Sequence, residues 1–225
     1  MKISIGSHHK FSIPNLDLAD LGKKIAIVGN SGILLDKEYG ELIDSHDVVV
    51  RFNVAKVDGF EKHVGSKTTL RCVNDTILNF AIGLGDLEDI KLKFPDFNPN
   101  YIFNLKDQII LFKNVRDRSS ILDDAFRKIE KNNNQIKFIH PKFLDECNSL
   151  IDSFEVTTGF MMIIAGITFF KNISCFGFSF YEDEWNKKHY FERINPFNQT
   201  YLHNIVSEKN IVLELAKHNK IKIYF

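Results

Sequence analysis

Four consecutive residues, Gly29, Asn30, Ser31 and Gly32, follow an apolar, β-branched run that opens at Lys24. A polar turn bounded by glycines at the end of such a run is a place where α/β proteins hold nucleotides. This turn lacks the third glycine of a dinucleotide loop, and it is not a P-loop. No acidic residue closes the next apolar run, "DVVVRFN", to take a ribose 2′-hydroxyl, which disfavours a nicotinamide-dependent oxidoreductase. Asn53 stands at its end instead, and an asparagine can bond ribose or phosphate. The chain carries 8 histidines, the side chain suited to exchanging a proton near neutrality. His8, His9, His46, His63 and His218 read as solvated surface histidines, which leaves His140, His189 and His203. No Asp-x-Asp pair occurs to hold a metal against a nucleotide sugar. Taken alone, the Gly-Asn-Ser-Gly stretch is more often only a turn.

Such residues need a framework. "KIAIVGN", "DVVVRFN", "KTTLRCVN", "YIFNL", "QIILF", "IKFIH", "ISCFGFSF" and "IKIYF" are short apolar runs that read as strands. "ILLDKEYGELI" has apolar residues at helical spacing, and "SILDDAFRKIEKN" is a helix whose acidic start and basic end match the helix dipole. Pro141 opens a further helix. Thr157 or Thr158 caps one through "GFMMIIAGITFF", whose apolar stripe is core, and "LHNIVSEKNIVLELAKHNK" is amphipathic. Strands alternating with helices predict an α/β sandwich with a mainly parallel sheet. Ligands in such a sheet lie beyond the carboxyl ends of the strands, which puts Gly29–Gly32, Phe52, Asn53, Asn74, His140 and Gly177–Ser179 on one rim. The stretch from Gly83 to Asn100 is the least periodic and is expected to be a mobile loop.

With these pieces in place, the chain resembles a known family. Ile25 to Thr69, with its "VGNSG", "G-x-x-ID-x-x-D", "R-x-N-x-A" and "VGSKTT" pieces, resembles the large sialylmotif of the eukaryotic-type sialyltransferases, glycosyltransferase family 29. "TTGFMMIIAGITFFKNISCFGFS" resembles the small sialylmotif, "HYFE" the third motif, and "HNIVSE" the His-x4-Glu form of the very small motif. The four occur in the family's order. The resemblance implies a single Rossmann-like, GT-A-like domain over residues 1–225. It also implies transfer of sialic acid from CMP-sialic acid to a hydroxyl of a glycan acceptor, with inversion and without a metal or other cofactor.

The chemistry asks for particular groups. Departure of CMP adds a negative charge to its phosphate, and a histidine can stabilise it in place of a metal. A second, neutral histidine can remove the acceptor proton. By motif position the resemblance implies His203 as the catalytic base and His189 as the contact to the donor phosphate. It implies donor contacts for Asn30, Ser31, Gly32, Asn53, Thr157, Thr158, Gly159 and Ser179. Free N–H groups at a helix start at Thr157–Gly159 would suit an anion. Arg51, Asp44 and Asp47 are expected to brace the Gly29–Gly32 turn. Glu208 lies five residues from His203, too many for neighbours on one helix face, unless His203 precedes the helix. The family's large-to-small motif disulfide would fall on Ile25 and Phe170, an apolar pair here, and its second asparagine after the turn is Ile33. These departures leave the donor open: CMP-Kdo or another CMP-nonulosonate shares the anomeric carboxylate. A nucleotide-binding module without turnover is the alternative from another class, against which His189 and His203 speak.

The bulk numbers agree with this reading. The 225 residues carry 29 Lys and Arg against 29 Asp and Glu, so nothing suggests a dedicated nucleic-acid binder. Three cysteines cannot all pair, which points to a reducing compartment. "MKISIGSHHK" has no signal-peptide core, and "VTTGFMMIIAGITFF" is too short and too interrupted by glycine to span a bilayer. The expectation is a cytoplasmic protein without a transmembrane segment, at most peripheral at the inner membrane face.

Overall fold

A computed structural model describes residues 22–84, 88, 98–113, 120–151, 155–180, 189–191 and 203–225. Its strands are β1 (Lys24–Val28), β2 (Val48–Phe52), β3 (Leu70–Asn74), β4 (Ile109–Lys113), β5 (Gln135–Phe138), β6 (Asn172–Phe176) and β7 (Lys222–Tyr224). They form one sheet in the order β5-β4-β3-β2-β1-β6-β7, and every pairing is parallel. The helices are α1 (Gly40–Asp44), α2 (Glu61–Val64), α3 (Asp75–Ala81), α4 (Ser120–Glu130), α5 (Pro141–Ile151), α6 (Thr158–Phe169) and α7 (Ile205–Lys217). The α/β sandwich expected from the sequence is therefore what the chain forms.

Both sheet faces are covered, which is why the central strands are apolar at almost every position. Ile25, Ile27, Val48, Val50, Leu70, Cys72, Ile109 and Leu111 point to the face packed by α5, α6 and α7. Ala26, Val28 and Val49 point the other way, against Leu34, Ile43 and Val64. Val73, Ile110 and Phe112 continue that second face under Leu78, Ile102, Leu122 and Ile129. Ile25 and Phe170, the disulfide positions implied by the resemblance, are buried members of one core.

Two local readings are corrected. "YIFNL" is not a strand: Pro99–Asn104 is a 3₁₀ turn, started by the Asn98 side chain accepting from the Asn100 N–H. Its period of three puts Ile102 and Leu105 on the buried side, which a strand could not do. "ILLDKEYGELI" is not one helix but a 3₁₀ turn, Gly32–Asp36, and the short α1. Lys37 between them is extended, and the backbone of Gly40 is so close to α2 that a Cβ would lie 2.1 Å from the Glu61 carbonyl oxygen. Of Gly83 to Asn100, residues 85–87 and 89–97 lie outside the described ones. The short helices α2 and α3 carry no sequence signal that stands out from their surroundings.

Candidate nucleotide and transfer site

The sheet winds outward from β1 in one direction and resumes at β6 on the other side, so its switch point lies between β1 and β6. In open α/β sheets ligands bind beyond the carboxyl edge at such a point. The two loops that leave it touch. Gly29 N donates to Phe176 O at 2.7 Å and Ser31 N to Gly177 O at 3.3 Å. A Cβ on Gly29 would lie 2.3 Å from the Gly177 oxygen, and Gly177 has φ +67°, so neither position admits another residue without movement. The first glycine of the turn is thus explained by this close approach.

Within the turn, Asn30 O accepts from Tyr190 N at 2.8 Å, which lays the His189 segment across it. The Asn30 side-chain oxygen is buried and has no hydrogen-bond partner among the described residues. A buried, unsatisfied acceptor is rare in a folded chain and fits a group that a ligand would satisfy. Ser31 is committed locally: its Oγ accepts from Ile33 N at 3.3 Å and starts the 3₁₀ turn that begins at Gly32. His189 stacks on Phe191, with ring centroids 5.3 Å apart.

Asn53 serves the backbone. It adopts φ +51°, and its Oδ1 accepts from Asn74 N at 3.0 Å, locking the end of β2 to the end of β3. Asn74 in turn accepts from Ile77 N and starts α3. Behind them, Arg71 is fully buried and donates to Asn53 O at 2.9 Å and Ala55 O at 3.0 Å. Burial pulls its guanidinium down to about 10.

Helices that feed parallel strands begin at the carboxyl edge, so α6 and α7 present their first turns to the same rim. Thr157 caps α6 by accepting from Phe160 N at 3.1 Å. Thr158 and Gly159 begin the helix, half-buried, and a Cβ on Gly159 would lie 2.8 Å from the Phe178 ring. The α6 turn is thereby seated on the chain leaving β6, where Ser179 is also half-buried. Asn204 caps α7, so His203 precedes the helix. Its Nδ1 is 2.8 Å from Glu155 O. A carbonyl only accepts, so Nδ1 carries the proton, and the neutral ring keeps Nε2 as an acceptor.

Glu208 does not orient His203. It is 2% exposed and accepts from Thr157 twice, from N and from Oγ1, each at 2.6 Å. Burial pushes its carboxyl up to about 7, against those two bonds and the charge of Lys113. Short bonds from donors favour the ionised form, but loss of water outweighs them here.

Asp44, Arg51 and Asp47 lie elsewhere. Asp44 accepts from Ser66 N, Ser66 Oγ and Lys67 N at 2.8–2.9 Å. Burial acts to raise it, yet these bonds hold it below its ordinary value. Arg51 donates to Val64 O, Gly65 O and Lys67 O, which closes the carboxyl end of α2. Asp47 accepts from Lys23 N and Lys24 N. All three thus brace loops at the amino ends of β1 and β3, not the Gly29–Gly32 turn. One histidine differs from expectation: His46 is buried, bonded to Leu42 O and Ile43 O. His140 stands just past the carboxyl end of β5, on the expected rim, and caps α5 through Lys142 N.

One cluster had no forecast. Lys113 and Glu155 form an ion pair of 3.0 Å beneath His203, and burial raises the nearby Asp75, with the Glu155 charge adding to it. The sequence signal was faint: a lysine directly after four apolar residues of "QIILFK". Among the described residues no three His, Cys, Asp or Glu side chains gather as a metal site would need, and no helix is long and apolar enough to cross a membrane.

Comparison with known proteins agrees with this architecture. Residues 19–220 match the family model of glycosyltransferase family 29 (sialyltransferase). The human CMP-N-acetylneuraminate-beta-galactosamide-alpha-2,3-sialyltransferase 1 is 30% identical over 223 residues, covering 94% of this chain and 61% of the relative. The chain therefore spans about three-fifths of that relative's length. The Arabidopsis thaliana beta-1,6-galactosyltransferase GALT29A is 56% identical over 54 residues, 24% of this chain and 14% of the relative. The crystal structure of a mammalian sialyltransferase in complex with Gal-beta-1-3GalNAc-ortho-nitrophenol shares the fold, with a TM-score of 0.64 at 24% identity, over 90% of this chain and 69% of that one.

Proposed function

Because the chain belongs to glycosyltransferase family 29 (sialyltransferase), we propose that it is an inverting, metal-independent transferase that moves sialic acid from CMP-sialic acid to a glycan hydroxyl. The observation that carries the reading is the His203 contact: Nδ1–H donates to Glu155 O at 2.8 Å, leaving Nε2 as a base beside the first turn of α6. In the proposed step Nε2 takes the proton of the acceptor hydroxyl as its oxygen bonds to the anomeric carbon. The bond from that carbon to the phosphate oxygen breaks, and CMP leaves with the electron pair. His189 and the N–H groups of Thr158 and Gly159 are the proposed partners of the phosphate. The orphaned Asn30 oxygen is a proposed contact to the nucleotide.

The name of the human relative points to a β-galactosamide as the first acceptor to try, in α-2,3 linkage. A second reading rests on the stretch shared with the plant galactosyltransferase: a nucleotide-activated galactose in place of sialic acid. The test incubates the protein with CMP-Neu5Ac, CMP-Kdo or UDP-galactose and a galactose-ended acceptor panel, in EDTA, and follows product by mass spectrometry. Sialylated product from CMP-Neu5Ac alone is expected. Product from UDP-galactose alone would move the assignment to the second reading. Activity abolished by EDTA and restored by manganese would remove the metal-free mechanism. The proposed location is the cytoplasm, on the ground that Cys72, Cys147 and Cys175 are buried and unpaired.

A further inference from the structure

Among the described residues Lys113 is the one buried lysine, with its side chain 2% exposed at the carboxyl end of β4. Its Nζ donates to Val156 O at 2.6 Å and to Glu155 Oε1 at 3.0 Å. The other residues of β4, Ile109 to Phe112, are all apolar. An apolar side chain of the same length would fill the place without the desolvation cost of an ammonium. What it could not do is hold the Val156 carbonyl. The residues on either side of Val156 are the ones that matter here. Glu155 O accepts from His203 Nδ1, and Thr157 binds Glu208 and starts α6. Asn148 Oδ1 holds Val156 from its other side, accepting from its N–H at 2.9 Å. Three successive residues are thus clamped from β4, α5, α7 and the turn before α7.

We propose that Lys113 is a positioning residue for the transfer: its bond to Val156 O fixes the Glu155 carbonyl that sets the tautomer and aim of the His203 ring. This rests on reading His203 as the base. In this role the ammonium acts through the Glu155–Val156 segment, 42 residues away in the chain, and not on the substrate itself.

The test uses the full chain in wild-type form, as Lys113→Met and as Lys113→Gln, which keeps a donor for Val156 O but no charge. The first readout needs no substrate. Long-range ¹H–¹⁵N spectra of histidine-labelled protein, with the His203 signal assigned by its loss in His203→Gln, report which nitrogen holds the proton. Wild type should show a protonated Nδ1 and a bare Nε2, and Lys113→Met should shift toward the other tautomer. The second readout is kinetic: with CMP-Neu5Ac, kcat of Lys113→Met should fall roughly tenfold or more while the donor KM stays within about twofold. Lys113→Gln should recover part of both. If Lys113→Met does not fold, Lys113→Gln, with a smaller shift in the same direction, carries the decision. A folded variant whose His203 tautomer is unchanged overturns the proposal whatever the donor proves to be. Wild-type protein that turns over none of the donors sinks the proposed function instead, and the spectra still decide the role of Lys113.

Discussion

Replacing Glu208 by Gln should make the protein more stable, and only above mild acidity. The carboxyl is 2% exposed, and burial raises it from 4.5 to about 7 in the folded state. The difference between those values, 7 − 4.5 = 2.5, corresponds to about 3 kcal/mol at 1.36 kcal/mol for each pH unit. The sign follows from linkage. Below pH 4.5 folded and unfolded chains are both protonated, and Glu208 costs nothing. Between about 4.5 and 7 the unfolded carboxyl ionises while the folded one keeps its proton, so stability falls as pH rises. Above about 7 the loss is complete. The amide introduced by Glu208→Gln is neutral at every pH and can copy the protonated acid: its oxygen accepts from Thr157 N and its nitrogen donates to Thr157 Oγ1. Urea unfolding of both proteins should therefore coincide near pH 4.5 and separate by about 3 kcal/mol in favour of Glu208→Gln by pH 8. A difference that stays constant over this range would refute the raised carboxyl. A variant weaker at every pH would mean that the ionised form is the one the fold stabilises.

Further outcomes are expected. His203→Ala should keep its CMP affinity, measured by calorimetry, while turnover falls by about 10²–10⁴, and retained turnover would end the general-base role. Asn30→Ala should weaken CMP binding by about 1–3 kcal/mol without lowering the melting temperature, since its oxygen has no partner among the described residues to lose. Asn53→Ala should instead lower stability, by roughly 1–3 kcal/mol, because it breaks the bond to Asn74 and leaves φ +51° to a residue that resists it; an unchanged melting temperature would count against that assignment. Burial pushes the thiols of Cys72 and Cys147 up to about 12, so a thiol reagent should label the cysteines only in denaturant, and fast labelling of native protein would contradict their burial.

What the sequence determined by itself was local. The apolar runs marked the strands, the glycines and asparagines marked their ends, and the alternation of strands with helices required a parallel sheet, whose carboxyl rim then gathered Asn30, Asn53, Asn74 and His140. These signals survive because each depends on a few adjacent residues. The errors began where two packings compete locally, as in "YIFNL", where burial every third residue outweighed β propensity. The tertiary structure alone decided how the polar residues pair. Glu208 meets Thr157 across 51 residues, Lys113 meets Glu155 across 42, and Asp44 and Arg51 turn to the amino end of the sheet, away from the rim. A buried polar side chain must find whichever partner the fold brings within about 3 Å, and nothing in its own neighbourhood of the chain names that partner.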